Sequence, residues 1–226
     1  MQLRYDWVVR PALLLLGIVA GVFPSSVMGQ AKPPQKASSP CGPLINQTLP
    51  CPRFGFNYKV PFGWVDRTAD MQEESAPGQP NPDDANAKQP ASSSGSETLL
   101  AVFERPPGAS GDTVNSAVVI AAEPQANYHG IKTAAEYFGA INELAQQRGF
   151  KPSSDPYMFS VGTKSLVRGD FSKPRGGLTM YQTSLSMIEK GYIVSFTFIG
   201  GSEDEVNDLI GNLSFAAHVG GKAKSK

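Results

Sequence analysis

The stretch LTMYQTSLSMI-EKG-YIVSFTFI, residues 178–199, decides the fold class. Two runs rich in β-branched and aromatic residues flank Glu189-Lys190-Gly191, a short glycine-containing loop. That arrangement predicts an antiparallel hairpin. Before it, residues 157–161 and 165–171 read as weaker strands. Residues 99–103 and 117–122 are short continuous apolar runs, the pattern of strands buried on both faces. A turn-rich connection, Pro106-Pro107-Gly108 to Asp112, lies between them. Phe54, Phe56, Tyr58 and Val60 alternate with Gly55, Asn57 and Lys59, which predicts a strand with one buried face. Pro61 ends it, because proline cannot donate to the ladder.

Two segments carry a helical period instead. Ala134, Tyr137, Phe138, Ile141, Leu144 and Ala145 share a face. Thr133-x-x-Glu136 forms a capping box at the start, and Gly149 suits the left-handed position past the end. Val206, Leu209, Ile210 and Leu213 share a second face, headed by the capping box Ser202-x-x-Glu205. Glu203, Asp204 and Glu205 complement the positive end of that helix dipole. Strands, helix, strands, helix with antiparallel hairpins define an α+β domain, a central antiparallel sheet flanked by helices.

The stretch Phe56-Asn57-Tyr58-Lys59-Val60-Pro61-Phe62-Gly63-Trp64 resembles the opening strand, proline and Gly-Trp of PsbP-like domains. The helix beginning Thr133-Ala134-Ala135-Glu136-Tyr137-Phe138 sits where that family has its first long helix. The ending is similar too: Gly191-Tyr192-Ile193-Val194-Ser195-Phe196, an acidic-capped helix, then Leu213-Ser214-Phe215. The resemblance spans residues 53–215 and implies an α/β/α sandwich. It implies a binding or assembly role, by analogy of fold alone. It supplies no active-site motif.

The N-terminus sets the compartment. Arg4 and Arg10 precede an apolar run over residues 12–23, and small residues follow near Gly29 and Ala31. This is the order of a secretory signal peptide, with cleavage after Gly29 or Ala31. The run falls short of the roughly 20 residues a membrane span needs. A retained N-terminal anchor is the alternative, and membrane contact is expected only in that case. Residues 1–29 are therefore read as signal peptide and 30–52 as a disordered Pro/Ser-rich lead. Residues 53–217 are read as one domain with a disordered insertion at 69–96, and 218–226 as a basic tail.

Cys41 and Cys51 are the only cysteines of the chain. An even count in an exported chain predicts a disulfide, and so short a ring stabilises by about 2–3 kcal/mol. The formal net charge is zero, and removing residues 1–29 takes away Arg4, Arg10 and Asp6. A near-neutral chain lacks the basic footprint of a nucleic-acid binder. Lys222, Lys224 and Lys226 read as a solvated tail. Asn46-Gln47-Thr48 matches a glycosylation sequon.

No catalytic constellation emerges. His129 and His218 each lack a neighbouring ligand pair, so no metal and no cofactor is expected. Neither a nucleophile elbow nor a phosphate loop occurs. Asp83 and Asp84 lie in the expected insertion without a rigid frame. Arg168 and Asp170 share a strand face and read as an exposed polar pair. Aromatic residues are the better candidates for binding. Phe62, Trp64, Asp66, Tyr128 and His129 form the candidate binding face, with Tyr137 and Tyr181 as further candidates. The plainer reading of Trp64 is a core plug at one end of the sheet. The function expected is a secreted or periplasmic non-catalytic binding domain whose partner is a protein or small ligand. Two alternatives are an enzyme using His129 with Asp66 or Glu123, and an envelope-tethered structural protein.

Overall fold

A computed structural model describes residues 39–74, 95–106, 108–109 and 111–215. The expected signal peptide, the tail and His218 lie outside them.

A large sheet is built from β3 (Val65–Asp66), β4 (Glu97–Phe103), β5 (Ala117–Pro124), β6 (Lys151–Pro152), β7 (Tyr157–Val161), β8 (Lys164–Arg175), β9 (Leu178–Glu189) and β10 (Tyr192–Gly200). The order across it is β3-β4-β5-β10-β9-β8-β6, with β7 also paired to β8. Every pairing is antiparallel. The β9–β10 hairpin turns through Lys190 and Gly191 at φ of 50° and 78°. Positive φ at both central residues is what a two-residue hairpin turn demands. A second, three-stranded sheet joins β1 (Thr48–Cys51), β2 (Phe56–Lys59) and β11 (Leu213–Phe215) in the order β1-β2-β11.

The large sheet buries both faces. On one lies α2 (Ala134–Gln147), started by the expected capping box of Thr133 and Glu136. Phe138, Ala145 and Phe150 pack there on Val167 and Phe171. On the other lie α3 (Glu203–Gly211) and the small sheet, closing over Leu100, Val118, Ile120, Leu185, Phe196 and Phe198. Phe56 meets Phe196 edge-on at 5.1 Å between ring centres. The expected second helical layer is thus half sheet, because β2 and β11 each carry one apolar side that only this face can cover. Ser202 caps α3, but Glu205 does not close the box onto it. Its carboxylate accepts from Gly201 N–H (2.8 Å) and from the buried Ser116 hydroxyl, tying the helix to the start of β5.

Two expected boundaries move. The lead expected over residues 30–52 is structured in its described part. The Cys41–Cys51 disulfide closes it, and Gly42 N–H donates to Pro50 O at 2.8 Å. Asn46 and Gln47, at φ of 47° and 61°, turn the chain into β1. Residues 30–38 of the expected lead lie outside the described residues. The insertion expected at 69–96 begins as helix α1 (Thr68–Glu74). Asp66 accepts from Thr68 N–H (2.8 Å), and the Gln72 amide donates to Thr98 O (2.6 Å), holding α1 along β4. Residues 75–94, with Asp83 and Asp84, lie outside the described residues.

Tyr58 is fully buried beneath α3, donating its hydroxyl to Leu209 O at 3.2 Å. Burial pushes its pKa well above the ordinary tyrosine value, and burial followed by the Glu123 charge does the same to Tyr137. The folded state then holds protons that the unfolded chain releases above about pH 10, so stability falls as pH rises past that point. Urea unfolding on either side of about pH 10 is expected to show the loss, and Tyr58→Phe to flatten part of it.

Candidate functional site

A polar constellation forms where β6 gives way to β7 along the edge of β8. Arg168 and Asp170 project from β8 toward α3. Arg168 Nε donates to both Asp170 oxygens, at 2.9 and 3.2 Å. Its Nη2 reaches Asn207 Oδ1 of α3 at 3.0 Å. Thr183, directly across on β9, donates to Asp170 Oδ1 at 2.6 Å. Tyr157, at the start of β7, donates to Asp170 Oδ2 at 2.9 Å. The guanidinium also lies 4.9 Å from the centre of the Phe159 ring. A cation over an aromatic face gains from the ring quadrupole. Four elements therefore converge on one ion pair.

This overturns the reading of Arg168 and Asp170 as an exposed polar face. Their side chains keep only 11% and 25% of their exposure. Period two put them on one face, but it could not show that β7 and α3 fold over that face. A cleft of about 230 Å³ opens beside the pair, lined by Ser153, Ser154, Tyr157, Tyr181, Thr183 and Glu203 among others. Burial, with the hydrogen bond to Asp170, raises the Tyr157 pKa and keeps its hydroxyl a donor at neutral pH. A sequence signal did exist: Gln182, Thr183, Ser184 and Ser186 are polar residues within a run that reads as a strand, and the structure buries all four. Such residues need partners, and Thr183 finds Asp170.

The residues of the expected binding face are placed in different settings. Phe62 is 89% exposed at the turn that Gly63 closes at φ +81°. Trp64 is half-buried and packs on the large core, as the plainer reading has it. Asp66 is spent on Thr68 at the head of α1. Tyr128 donates to Glu123 and packs edge-on against Tyr137, with ring centres 4.9 Å apart. His129 is exposed, and no hydrogen bond joins it to Asp66 or Glu123. Among the described residues no cluster of metal-ligating side chains occurs, and no helix is long and apolar enough to cross a membrane.

Fold and site together define a class: an α+β domain with a disulfide-closed N-terminal hairpin and a polar cleft at its sheet edge. No protein-family model matches the chain, and no curated protein matches it either. Solved structures similar to it include PsbP (CyanoP) of the cyanobacterium Synechocystis sp. PCC 6803. That likeness is at 10% identity and a TM-score of 0.45, covering 77% of this chain and 95% of that one. Another is LpqN of Mycobacterium tuberculosis, described as involved in cell envelope biogenesis. It is 13% identical, with a TM-score of 0.36, over 72% of this chain and 83% of that one. A third is PA94 of Pseudomonas aeruginosa, a putative regulator of unknown function. It is 17% identical, with a TM-score of 0.32, over 45% of this chain and 68% of that one.

Proposed function

We propose that this chain is a secreted or periplasmic binding domain without catalysis of its own, and that its ligand is a small uncharged polar molecule held in the Arg168–Asp170 cleft. The observation that carries this reading is the closure of the ion pair. Both Asp170 oxygens already accept hydrogen bonds, from Arg168, Thr183 and Tyr157. A carboxylate so engaged is not free to act as a base, but it holds its donors rigid. Prealigned polar groups beside aromatic walls bind at low ordering cost. With Arg168 balanced by Asp170 and Glu203 at the rim, the cleft has no surplus of positive charge for an anion. The disulfide supports an oxidising compartment, in keeping with the expected signal peptide.

Native mass spectrometry of the protein purified gently from its own source tests this. A small added mass is expected on the natural chain, and Tyr157→Ala, at a residue 42% exposed, is expected to lose it with little change in melting temperature. A bare natural chain, or a mass that Tyr157→Ala retains, would overturn the assignment.

A further inference from the structure

The β8–β9 hairpin outruns its neighbours in the large sheet. β6 pairs with β8 no further than Ser172, and β10 pairs with β9 no further than Tyr181. Among the described residues, 173–175 and 178–180 therefore pair only with each other. They form a two-stranded ribbon closed by Gly176 and Gly177, at φ of 55° and 84°. A Cβ built on either glycine meets no described atom within 4 Å, so the tip stands clear of the fold.

Cross-strand partners share a face of a sheet. Lys173 stands opposite Met180, and Arg175 opposite Leu178. One face of the ribbon thus carries two cations on β8 and two apolar side chains on β9. It is the face toward α2: Lys173 Nζ donates to Arg148 O at 2.6 Å and lies 5.6 Å from the centre of the Phe150 ring. That bond sets Arg148, exposed at the end of α2, beside the ribbon. Lys151, also exposed, lies at the ribbon's root opposite Ser172. Among the described residues none of these four cations is ion-paired. From residue 144 to residue 181 the carboxylates are Asp155 and Asp170 alone, and Asp170 is held by Arg168. A chain of zero formal net charge therefore gathers unbalanced positive charge at one end of its large sheet. Two apolar side chains stand open in the same region, Leu178 at 41% exposure and Leu144, one helical turn before Arg148, at 39%.

We propose that this ribbon docks the protein on an anionic lipid surface. Charge complementarity selects a polyanion, because each exposed cation is drawn to the negative potential of such a surface. Leu178 selects lipid among polyanions. At the tip of a protruding ribbon, an exposed leucine enters the headgroup boundary while long basic side chains reach back to the phosphates. A polyanion dissolved in water satisfies the cations and offers the leucine nothing. The sequence ties membrane contact to a retained N-terminal anchor; this surface needs none. So few exposed charges make a weak, reversible contact that salt screens. The proposal is independent of what the Arg168–Asp170 cleft binds.

Vesicle flotation tests it, with the exported chain purified from its own source and its disulfide intact. Vesicles of phosphatidylcholine are compared with vesicles of phosphatidylcholine and phosphatidylglycerol in equal parts, at low and at high salt. The natural chain is expected to float with the anionic vesicles at low salt and to be released at high salt. Arg148→Gln with Arg175→Gln leaves the tail lysines and the N-terminus untouched. It is expected to weaken binding at least about tenfold, with the melting temperature unchanged, since both side chains are exposed. Leu178→Asn alters no charge and is expected to weaken vesicle binding too, while leaving any binding to heparin, a soluble polyanion, as it was. A natural chain that floats with neither kind of vesicle would overturn the proposal. So would equal binding to both kinds, the mark of an uncut anchor, or anionic binding that the double variant retains, the mark of the lysine tail. Vesicle binding that Leu178→Asn leaves intact would also overturn it, and would assign the ribbon to a soluble polyanion such as a nucleic acid or an acidic protein.

Discussion

Gly169→Ala is expected to cost about 2–3 kcal/mol of stability, although it adds one methyl group. Gly169 lies on β8 directly beneath α2. A Cβ built there would stand 2.3 Å from Phe138 Cε1 and 2.9 Å from Cζ. Real side chains do not approach so closely. Phe138 is 1% exposed, wedged among Ala145, Phe150, Val167 and Phe171, so the ring cannot swing aside. The helix must lift from the sheet, or the strand must bow. Equilibrium unfolding in urea measures the loss. The diagnostic is the double variant Gly169→Ala with Phe138→Leu, which shortens the ring that the methyl meets. Its cost is expected to fall clearly below the sum of the two single costs, as coupled neighbours require. Additive costs would mean that α2 does not rest on Gly169.

Asp170→Ala is expected to cost about 2–4 kcal/mol, more than a surface ion pair would. The reason is what remains. Arg168, its side chain 11% exposed, loses the carboxylate it is ion-paired to, and the Thr183 and Tyr157 hydroxyls lose their acceptor. A charge stranded in a half-buried place costs more than the pair itself contributes. Asp170→Ala combined with Arg168→Met removes both charges and is expected to recover much of the loss in the same unfolding assay. If the single variant melts like the natural chain, the cleft is open to water and the pair is a surface one.

The strands and helices were legible because burial writes itself as period. The β9–β10 hairpin sits where its apolar runs and Lys190-Gly191 put it. Thr133 and Glu136 start α2 as their spacing says, since a capping box is a local device that needs no tertiary partner. Period says nothing about neighbours distant in sequence. The partnership of Arg168 with Tyr157, Thr183 and Asn207 joins three other elements, so a face that looked exposed is half-covered. The same limit hid the hairpin of Cys41 to Cys51, whose order comes from the bridge and a turn rather than from apolar composition. Phe62, Trp64, Asp66, Tyr128 and His129 drew attention by residue type. In the fold, Trp64 packs, Asp66 caps, Tyr128 bonds Glu123, and Phe62 and His129 stand in solvent.

The small sheet has a consequence in time. β11, among the last residues described, pairs with β2, among the first, through Leu213 with Tyr58 and Phe215 with Phe56. Phe56 and Phe215 then close together on Phe196. A chain emerging from its N-terminus cannot complete this layer until residues 213–215 have followed β2 by more than 150 positions. The Phe196 ring therefore stays uncovered by Phe56 and Phe215 together until residues 213–215 have been made, so this layer is a late step in folding during synthesis.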